Sequence, residues 1–550
     1  MKRNLKNTSL LIFLLTIISF NANARDLNAL QKDFLTWKFG MFIHFNMSTF
    51  VPGGWATGKE DPLKFNPENL DIGQWADAAK SANMKYGILT VKHTGGWCLW
   101  RSETTDHDVS AFKNYKNGNG DIVKEFVDAF RSRGLKVGLY YCFPLWGDLW
   151  KGYMTLPSKE YTSGKLDALA LIKAHFKELL TNYGEIDLVW IDQFGSNNGG
   201  LKNGDWKKVK EYIHQLQPNC LVIANTCKDY NNSDIYGYEY PYSLSLPKEG
   251  NTKVAEVCDK LNSGWFANPG AQAVPVRTAD YIVNKMLLPL VNNNSNYLLN
   301  CSPEKTGKLH PETVKFLGEV GKLWDPNNTK KYDARLYGIT QEAVVNIKND
   351  SNYFALAFDE SWPKEAREKA VTILKDKNAT ATFFISKSTA EKEKSSLREL
   401  IKYGHSLGNA SFNAKDISKV SSMKISEFIT PIQNQLLGIQ APVFVRFPEK
   451  QYSWDLWTAL NYYQLLIAEP EYIVDSLKSI DTITKQAIPG NTAIIMYSDN
   501  AITLLENLLD SLNGKGLKVV SWRDALKKAN SERLRSYVLN VGGTVVSGRE

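Results

Sequence analysis

The stretch KLDALALIKAHFKELLTNYGEIDLVWID, residues 165–192, decides the fold. From Lys165 to Tyr183 the apolar residues recur at helical spacing. After Gly184 the pattern changes to a near-continuous apolar run, Ile186 to Ile191, that closes on Asp192. An amphipathic helix feeding a strand without polar alternation describes a strand buried on both faces, the condition of a parallel strand covered by helices. The same unit recurs on either side. Strands are predicted at Phe39 to Phe45, Tyr86 to His93, Lys136 to Phe143, Glu185 to Asp192, Leu221 to Thr226 and Ala255 to Asp259, with amphipathic helices at Asn69 to Asn83 and Gly120 to Arg133. The span from Arg25 to about Trp324 therefore reads as an α/β chain, a (β/α)8-like TIM barrel. In such barrels chemistry sits at the C-terminal ends of the strands, and here those ends carry His44, His93, Tyr141 and Asp192.

Past Trp324 the polar run Asp325-Pro326-Asn327-Asn328-Thr329-Lys330-Lys331 reads as a linker. Alternation then resumes at Tyr353 to Asp359, Thr380 to Ile385, His405 to Asn409, Val443 to Phe447, Tyr463 to Ala468, Thr492 to Tyr497 and Leu517 to Trp522, which predicts a second, smaller (β/α)7-like barrel. At the other end, Met1-Lys2-Arg3, an apolar run from Leu10 to Phe20 and Ala22-Asn23-Ala24 make a secretory leader whose apolar part is too short to span a bilayer. The expected organisation is a signal peptide at 1–24, a first barrel at 25–325, a linker at 326–345, a second barrel at 346–530 and a tail at 531–550. The mature chain is expected to be periplasmic or secreted, without a membrane partner after cleavage.

Composition narrows the function classes. The charge of +8 is spread along the chain with no basic block, which argues against a nucleic-acid partner. Aromatic residues make up 12% of the chain and include 15 Trp, and flat aromatic faces are the usual platform for sugar rings. The six cysteines, Cys98, Cys142, Cys220, Cys227, Cys258 and Cys301, fall mostly inside apolar runs, so buried free thiols are expected rather than disulfides. No His or carboxylate spacing suits a metal, and no cofactor is called for.

Asp192 has a chemical reading of its own. A carboxylate at the end of a buried strand is costly as mere structure, and a retaining glycosidase needs one carboxylate as nucleophile with a second carboxyl group about 5–5.5 Å away. The surrounding segments resemble glycoside hydrolase family 29, the α-L-fucosidases. They are FGMFIHFNMSTF (39–50), GKEDPLKFNPENLDIGQWADAAKSANMKYGILTVKHTGGWCLW (58–100), SETTDHDV (102–109), GLKVGLYY (134–141), LLTNYGEIDLVWID (179–192) and NYLLNCSPEKTGKLHPETVKFLGEVGKLW (296–324). The resemblance implies a carbohydrate substrate, a fucosylated glycan, with Asp192 as nucleophile and His44, His93, Trp55, Tyr141 and Trp265 around the sugar. For the acid/base it favours Glu256, in AEVCDKLNSGWFA, with Glu239 in YGYEYPY and Glu249 in PKEGN as alternatives. Two departures bear on specificity. Thr94 stands where the family usually has a second His, and Gly54 where many members carry a Glu, so a galactose-like sugar stays open beside fucose. A glycan-binding protein without catalysis is the reading of another class.

The second half resembles the polysaccharide deacetylases, carbohydrate esterase family 4, through YFALAFDE (353–360), TATFFIS (380–386), LIKYGHSLGNASF (400–412), VRFP (445–448), IIMYSD (494–499) and VVSWRDAL (519–526). That family hydrolyses acetyl groups with a metal held by an Asp and two His. In this chain the paired His positions are Ala410 and Ala414, the metal Asp is Glu360 and the late His is Ser498, while Asp359 and Arg446 keep the base and arginine positions. His405 is not a metal ligand in the family either. The resemblance thus implies a domain without its metal or its activity, serving as a carbohydrate-binding module or as a structural partner of the first barrel.

Overall fold

The computed structural model describes residues 25–52, 55–143, 168–193, 204–240, 245–262, 264–267, 275, 277–327, 342–410, 428–429, 432–433, 435–436, 439–447, 452–463, 465–531 and 534–535. The predicted leader, Gly54, Ala414, most of the predicted linker and nearly all of the predicted tail lie outside the described residues.

The first sheet has eight parallel strands. They are β1 (Phe39–Ile43), β2 (Tyr86–Lys92), β3 (Lys136–Cys142), β4 (Leu188–Asp192), β5 (Leu221–Ala224), β6 (Tyr236–Glu239), β7 (Ala255–Lys260) and β8 (Ser295–Asn300). Their order, β5-β4-β3-β2-β1-β8-β7-β6, is a nearly closed barrel. Burial on both faces explains the unbroken apolar runs of β1 and β2, all of whose residues are buried. Helices such as Ile72–Ser81 and Ile122–Ser132 cover the outside, each entered through an Asp whose carboxylate accepts a first-turn N–H. Two strands, β6 and β8, escape the sequence pattern. Their residues, YGYE and SNYLLN, are short or interrupted by polar groups that face the barrel interior.

The ring closes at a seam between β5 and β6, where a full ladder gives way to the single bridge Ile223–Ile235, flanked by Asp234 N–H to Val222 O at 2.7 Å and Gly237 N–H to Cys227 O at 2.9 Å. Close approach there depends on Gly237, since a Cβ at this position would stand 2.6 Å from the Ala224 carbonyl oxygen. Asp234 anchors the seam from below. Its side chain is fully buried and meets Arg25 Nη2 at 2.6 Å, Lys210 Nζ at 3.0 Å and His214 Nε2 at 3.0 Å, while Val222 N–H donates to it at 2.8 Å. Burial alone would raise this carboxyl. Hydrogen bonds from His214 and Arg25 and the charge of Lys210 outweigh it and hold the group well below the usual carboxylate range.

The second sheet runs β13-β12-β11-β10-β9-β15-β14, with β16 paired to β9, a seven-strand half-barrel path with one branch. Its strands are β9 (Tyr353–Phe358), β10 (Thr382–Ile385), β11 (Ser406–Asn409), β12 (Phe444–Val445), β13 (Leu466–Ile467), β14 (Tyr472–Val474), β15 (Thr492–Ile495) and β16 (Lys518–Ser521). Here β14 adds a strand to the predicted set. All six cysteines are free and buried. Among the described residues no helix is long and apolar enough to cross a membrane.

The Asp234 cluster yields the first prediction. Asp234→Ala strands two cations in a buried seam and should cost about 3–5 kcal/mol, read as a lower denaturant midpoint at pH 7. Because the folded-state carboxyl is depressed, its contribution is present above the unfolded value of about 3.9 and fades as pH falls below it. The gap between wild type and variant should therefore shrink at pH 3; a gap of equal size at both pH values contradicts the assignment.

Candidate active site

The strand ends of the first barrel bring polar groups to one rim. Asp192, the last residue of β4, is half-buried, and its carboxylate accepts from four donors. Oδ2 takes the Tyr140 O–H at 2.7 Å; Oδ1 takes the Gln193 backbone N–H at 2.8 Å, Asn225 Nδ2 at 2.9 Å and Gln193 Nε2 at 3.4 Å. The same Asn225 amide donates to Glu239 Oε2 at 2.6 Å. One amide thus ties the carboxylate ending β4 to the one ending β6, across the seam. The residues following Asp192 and Asn225 are both left-handed, Gln193 at φ 62° and Thr226 at φ 57°. Such backbone costs on the order of 1–3 kcal/mol outside glycine and is typical of functional sites.

An aromatic wall faces this pair. The His93 ring stacks on Tyr140 with centroids 5.4 Å apart and on Trp55 at 4.9 Å, and Phe266 meets it edge-on at 4.9 Å. His44 lies 5.1 Å from Trp265, 5.1 Å from Phe266 and 5.7 Å from His93. Trp55 is 41% exposed and forms the open side of the wall. The His44 tautomer follows from its neighbours. Asn300 Nδ2 donates to the Trp265 carbonyl at 2.8 Å and to Ser302 Oγ at 2.9 Å, which turns its amide oxygen toward His44 Nδ1 at 2.7 Å. Nδ1 therefore carries the hydrogen and Nε2 is an acceptor. Burial lowers His44 to about 3, against a smaller raising effect of the Asn300 hydrogen bond. His93 is also held well below the usual imidazole range, first by burial and then by His44 and Lys92. Its Nδ1 lies 3.1 Å from Thr94 Oγ1, which in turn bonds the Ala56 carbonyl at 3.4 Å.

Comparison with known proteins fits this arrangement. Residues 59–330 match the family model described as alpha-L-fucosidase, and residues 346–467 that of the polysaccharide deacetylases. The chain carries an α-L-fucosidase family domain followed by a polysaccharide deacetylase family domain. Alpha-L-fucosidase 1 of Arabidopsis thaliana is 32% identical over 323 residues, 52% of this chain and 59% of that protein. The alpha-L-fucosidase of Dictyostelium discoideum is 24% identical over 378 residues, 58% of this chain and 76% of that protein. Among solved structures, alpha-L-fucosidase isoenzyme 1 from Paenibacillus thiaminolyticus is 28% identical with a TM-score of 0.45, covering 56% of this chain and 78% of that one. The chain thus spans a little over half of the Arabidopsis relative it matches.

Within the fucosidase-family domain the structure brings Asp192, His44, His93, Trp55 and Trp265 together and places two further candidates, Tyr141 and Glu256, apart from them. Tyr141 faces outward, its O–H 2.9 Å from His175 Nδ1 and its ring under Lys92 at 4.7 Å. Strand alternation puts its neighbour Tyr140 inside. Glu256 does not reach the rim. It is the second residue of β7, 1% exposed, and lies beneath the site, where the Tyr86 O–H donates to it at 2.6 Å and the Trp190 indole at 3.1 Å. Burial pushes its carboxyl up to about 7 against the lowering effect of these two donors, but a group sealed below the strand ends has no path to a leaving oxygen. Glu249 is exposed, away from these contacts. Tyr140, Asn225, Asn300 and Phe266 line the candidate site although the sequence reading singled out none of them; only Asn225 lies outside the segments quoted above. The inward phase of β3 would have selected Tyr140.

The deacetylase-family domain does not fit the divalent metal of its relatives. Arg446 Nη1 donates to Glu360 Oε2 at 2.9 Å, so a guanidinium already holds the carboxylate at the ligand position. Ala410 packs against the apolar core, Asp359 accepts the Ser361 O–H, and among the described residues no three His, Cys, Asp or Glu converge as ligands.

The His44 geometry is directly checkable. In 15N-correlated spectra His44 should keep a neutral, Nδ1-protonated ring from pH 8 down to pH 5; protonation near the ordinary value of about 6.5 would contradict the effect of burial.

Proposed function

We propose that the first barrel is a retaining exo-α-L-fucosidase of an exported protein, working by double displacement with Asp192 as nucleophile and Glu239 as acid/base. The observation that carries the pairing is the Asn225 amide. Asp192 Oδ1 at 2.9 Å and Glu239 Oε2 at 2.6 Å from one nitrogen keeps the two oxygens within about 5.5 Å, the spacing of retaining pairs and short of the roughly 6.5–9.5 Å of inverting ones. The basic, apolar and A-x-A pattern of residues 1–24 supports export.

In the first step an Asp192 oxygen attacks the anomeric carbon while the Glu239 carboxylic acid protonates the departing oxygen. The C–O bond to the aglycone breaks, and a fucosyl ester on Asp192 forms. In the second step Glu239, now a carboxylate, takes a proton from water, the water oxygen attacks the same carbon, and the ester bond breaks to free Asp192 and α-fucose. Tyr140 and Asn225 orient the nucleophile through the bonds they donate. The neutral His44 and His93 offer ring nitrogens to sugar hydroxyls without adding charge, and Trp55 and Trp265 supply flat apolar faces.

With 4-nitrophenyl α-L-fucoside, Asp192→Asn should lower kcat by more than about a thousandfold. Glu239→Gln should cost about a hundredfold or more on fucosides with poor leaving groups, whereas Glu256→Gln, which preserves the shape of the buried side chain, should stay within about threefold. Proton NMR during turnover should show α-fucose as the first product. β-Fucose appearing first, full activity in Asp192→Asn, or faster cleavage of the α-galactoside would each overturn part of the assignment.

A further inference from the structure

A (β/α) barrel ordinarily seats a helix over each strand, yet among the described residues no helix follows β5 or β6. The strand ending in Glu239 is therefore bare of its own helix and sits at the seam. Its outer face is not bare of protein. Tyr240, which directly follows Glu239, is 3% exposed and meets the ring of Tyr462 edge-on at 5.9 Å. Tyr462 closes the helix Trp454–Tyr462 of the deacetylase-family half. At the other end of that helix the Trp454 indole donates to the Leu246 carbonyl at 3.1 Å, in the segment that leads on from β6. Between these points Asn461 hydrogen-bonds Tyr281, and the Asp455 charge faces Lys228 and Tyr238. Tyr240 and Leu246 belong to the same apolar core as Leu456, Trp457, Leu460 and Tyr463.

We propose that the second half supplies the wall the barrel lacks, and that Tyr462 and Trp454 are positioning residues for Glu239, a role that rests on the acid/base reading of that carboxylate. In an alternating strand Tyr240 points outward and Glu239 inward, so a contact that fixes the Tyr240 ring fixes the register of the carboxylate one residue earlier. β5 holds β6 by one bridge and the two backbone bonds that flank it, and β7 holds it by a parallel ladder; on the outer side the helix Trp454–Tyr462 packs against Tyr240, the residue that directly follows the strand. The deacetylase fold keeps its core while carrying Ala410 and an Arg446–Glu360 pair where relatives bind metal. Its physical role here is to position the proton donor of the neighbouring barrel.

The test uses the full chain with Tyr462→Ala, Trp454→Ala and the conservative Tyr462→Phe. Two substrates are compared by kcat/KM, which reports bond cleavage to the first product. α-L-Fucosyl fluoride needs no proton on its leaving group, and methyl α-L-fucoside does. Either alanine variant should lower kcat/KM for the methyl fucoside about tenfold or more, a share of the roughly 10²–10⁴ that general acid catalysis contributes, and leave the fluoride within about twofold. Tyr462→Phe should restore the methyl fucoside rate. In parallel, hydrogen exchange at the β6 amides should quicken in the alanine variants while β1 to β3 are unchanged. An equal loss on both substrates, no loss on either, or unchanged β6 exchange overturns the proposal. A wild type that cleaves neither fucoside would sink the fucosidase reading alone, and β6 exchange would still decide the docking.

Discussion

The site depends on one amide group. Asn225 follows β5, lies between the strands that end in Asp192 and Glu239, and donates to both carboxylates at 2.9 and 2.6 Å. Two carboxyl groups held this close need a donor between them, and the two amide hydrogens of Asn225 supply it without a cation. The barrel seam exists to allow it. Gly237 lets β6 approach the Ala224 carbonyl, and the Asp234 cluster binds the turn between β5 and β6 to Arg25, Lys210 and His214. A regular β5–β6 ladder would fix the strands at sheet spacing; a bridged seam lets the side chains set the distance.

Burial then sorts the ionisable groups by depth. At the rim Asp192 and Glu239 are half-buried and reachable. At the same strand ends His44 and His93 are more deeply buried, sealed on their apolar sides and neutral, which suits them to accept or donate single hydrogen bonds to a polar ligand. Below them Glu256 is closed in under Tyr86 and Trp190. Trp190 stacks on Tyr140, which holds Asp192, so the buried carboxyl supports the nucleophile through two rings and has no direct access to substrate. Carboxylates that look equivalent along the chain thus differ because their strands place them at different heights.

Much of this is legible in the sequence. Unbroken apolar runs mark both barrels, and the strand-end rule singles out Asp192, His44 and His93. What stays hidden has physical reasons. The β6 segment YGYE has a glycine for close approach and aromatic residues that face another part of the chain, so it lacks the aliphatic run that marks a buried strand. Without that run Glu239 reads as a loop residue, and Glu256, inside an apolar strand, looks the better acid. In β8, Asn296 and Asn300 break the pattern because they face polar partners inside the fold. The Tyr140-Tyr141 pair is resolved only by the phase of β3. The packing of the helix Trp454–Tyr462 on the outer side of β6 joins residues more than two hundred positions apart, and no local pattern reports such a contact.

The central claim is a covalent sugar on Asp192 formed opposite Glu239. Incubation with a 2-deoxy-2-fluoro-α-L-fucosyl donor bearing a good leaving group, followed by mass spectrometry of the intact protein and its peptides, tests it most directly. The expected result is one added fluorosugar per chain, mapped to the peptide containing Asp192, and faster release when water is supplemented by azide. An unlabelled protein that nevertheless hydrolyses the parent fucoside, or a label on Glu239 or Glu256, would contradict it.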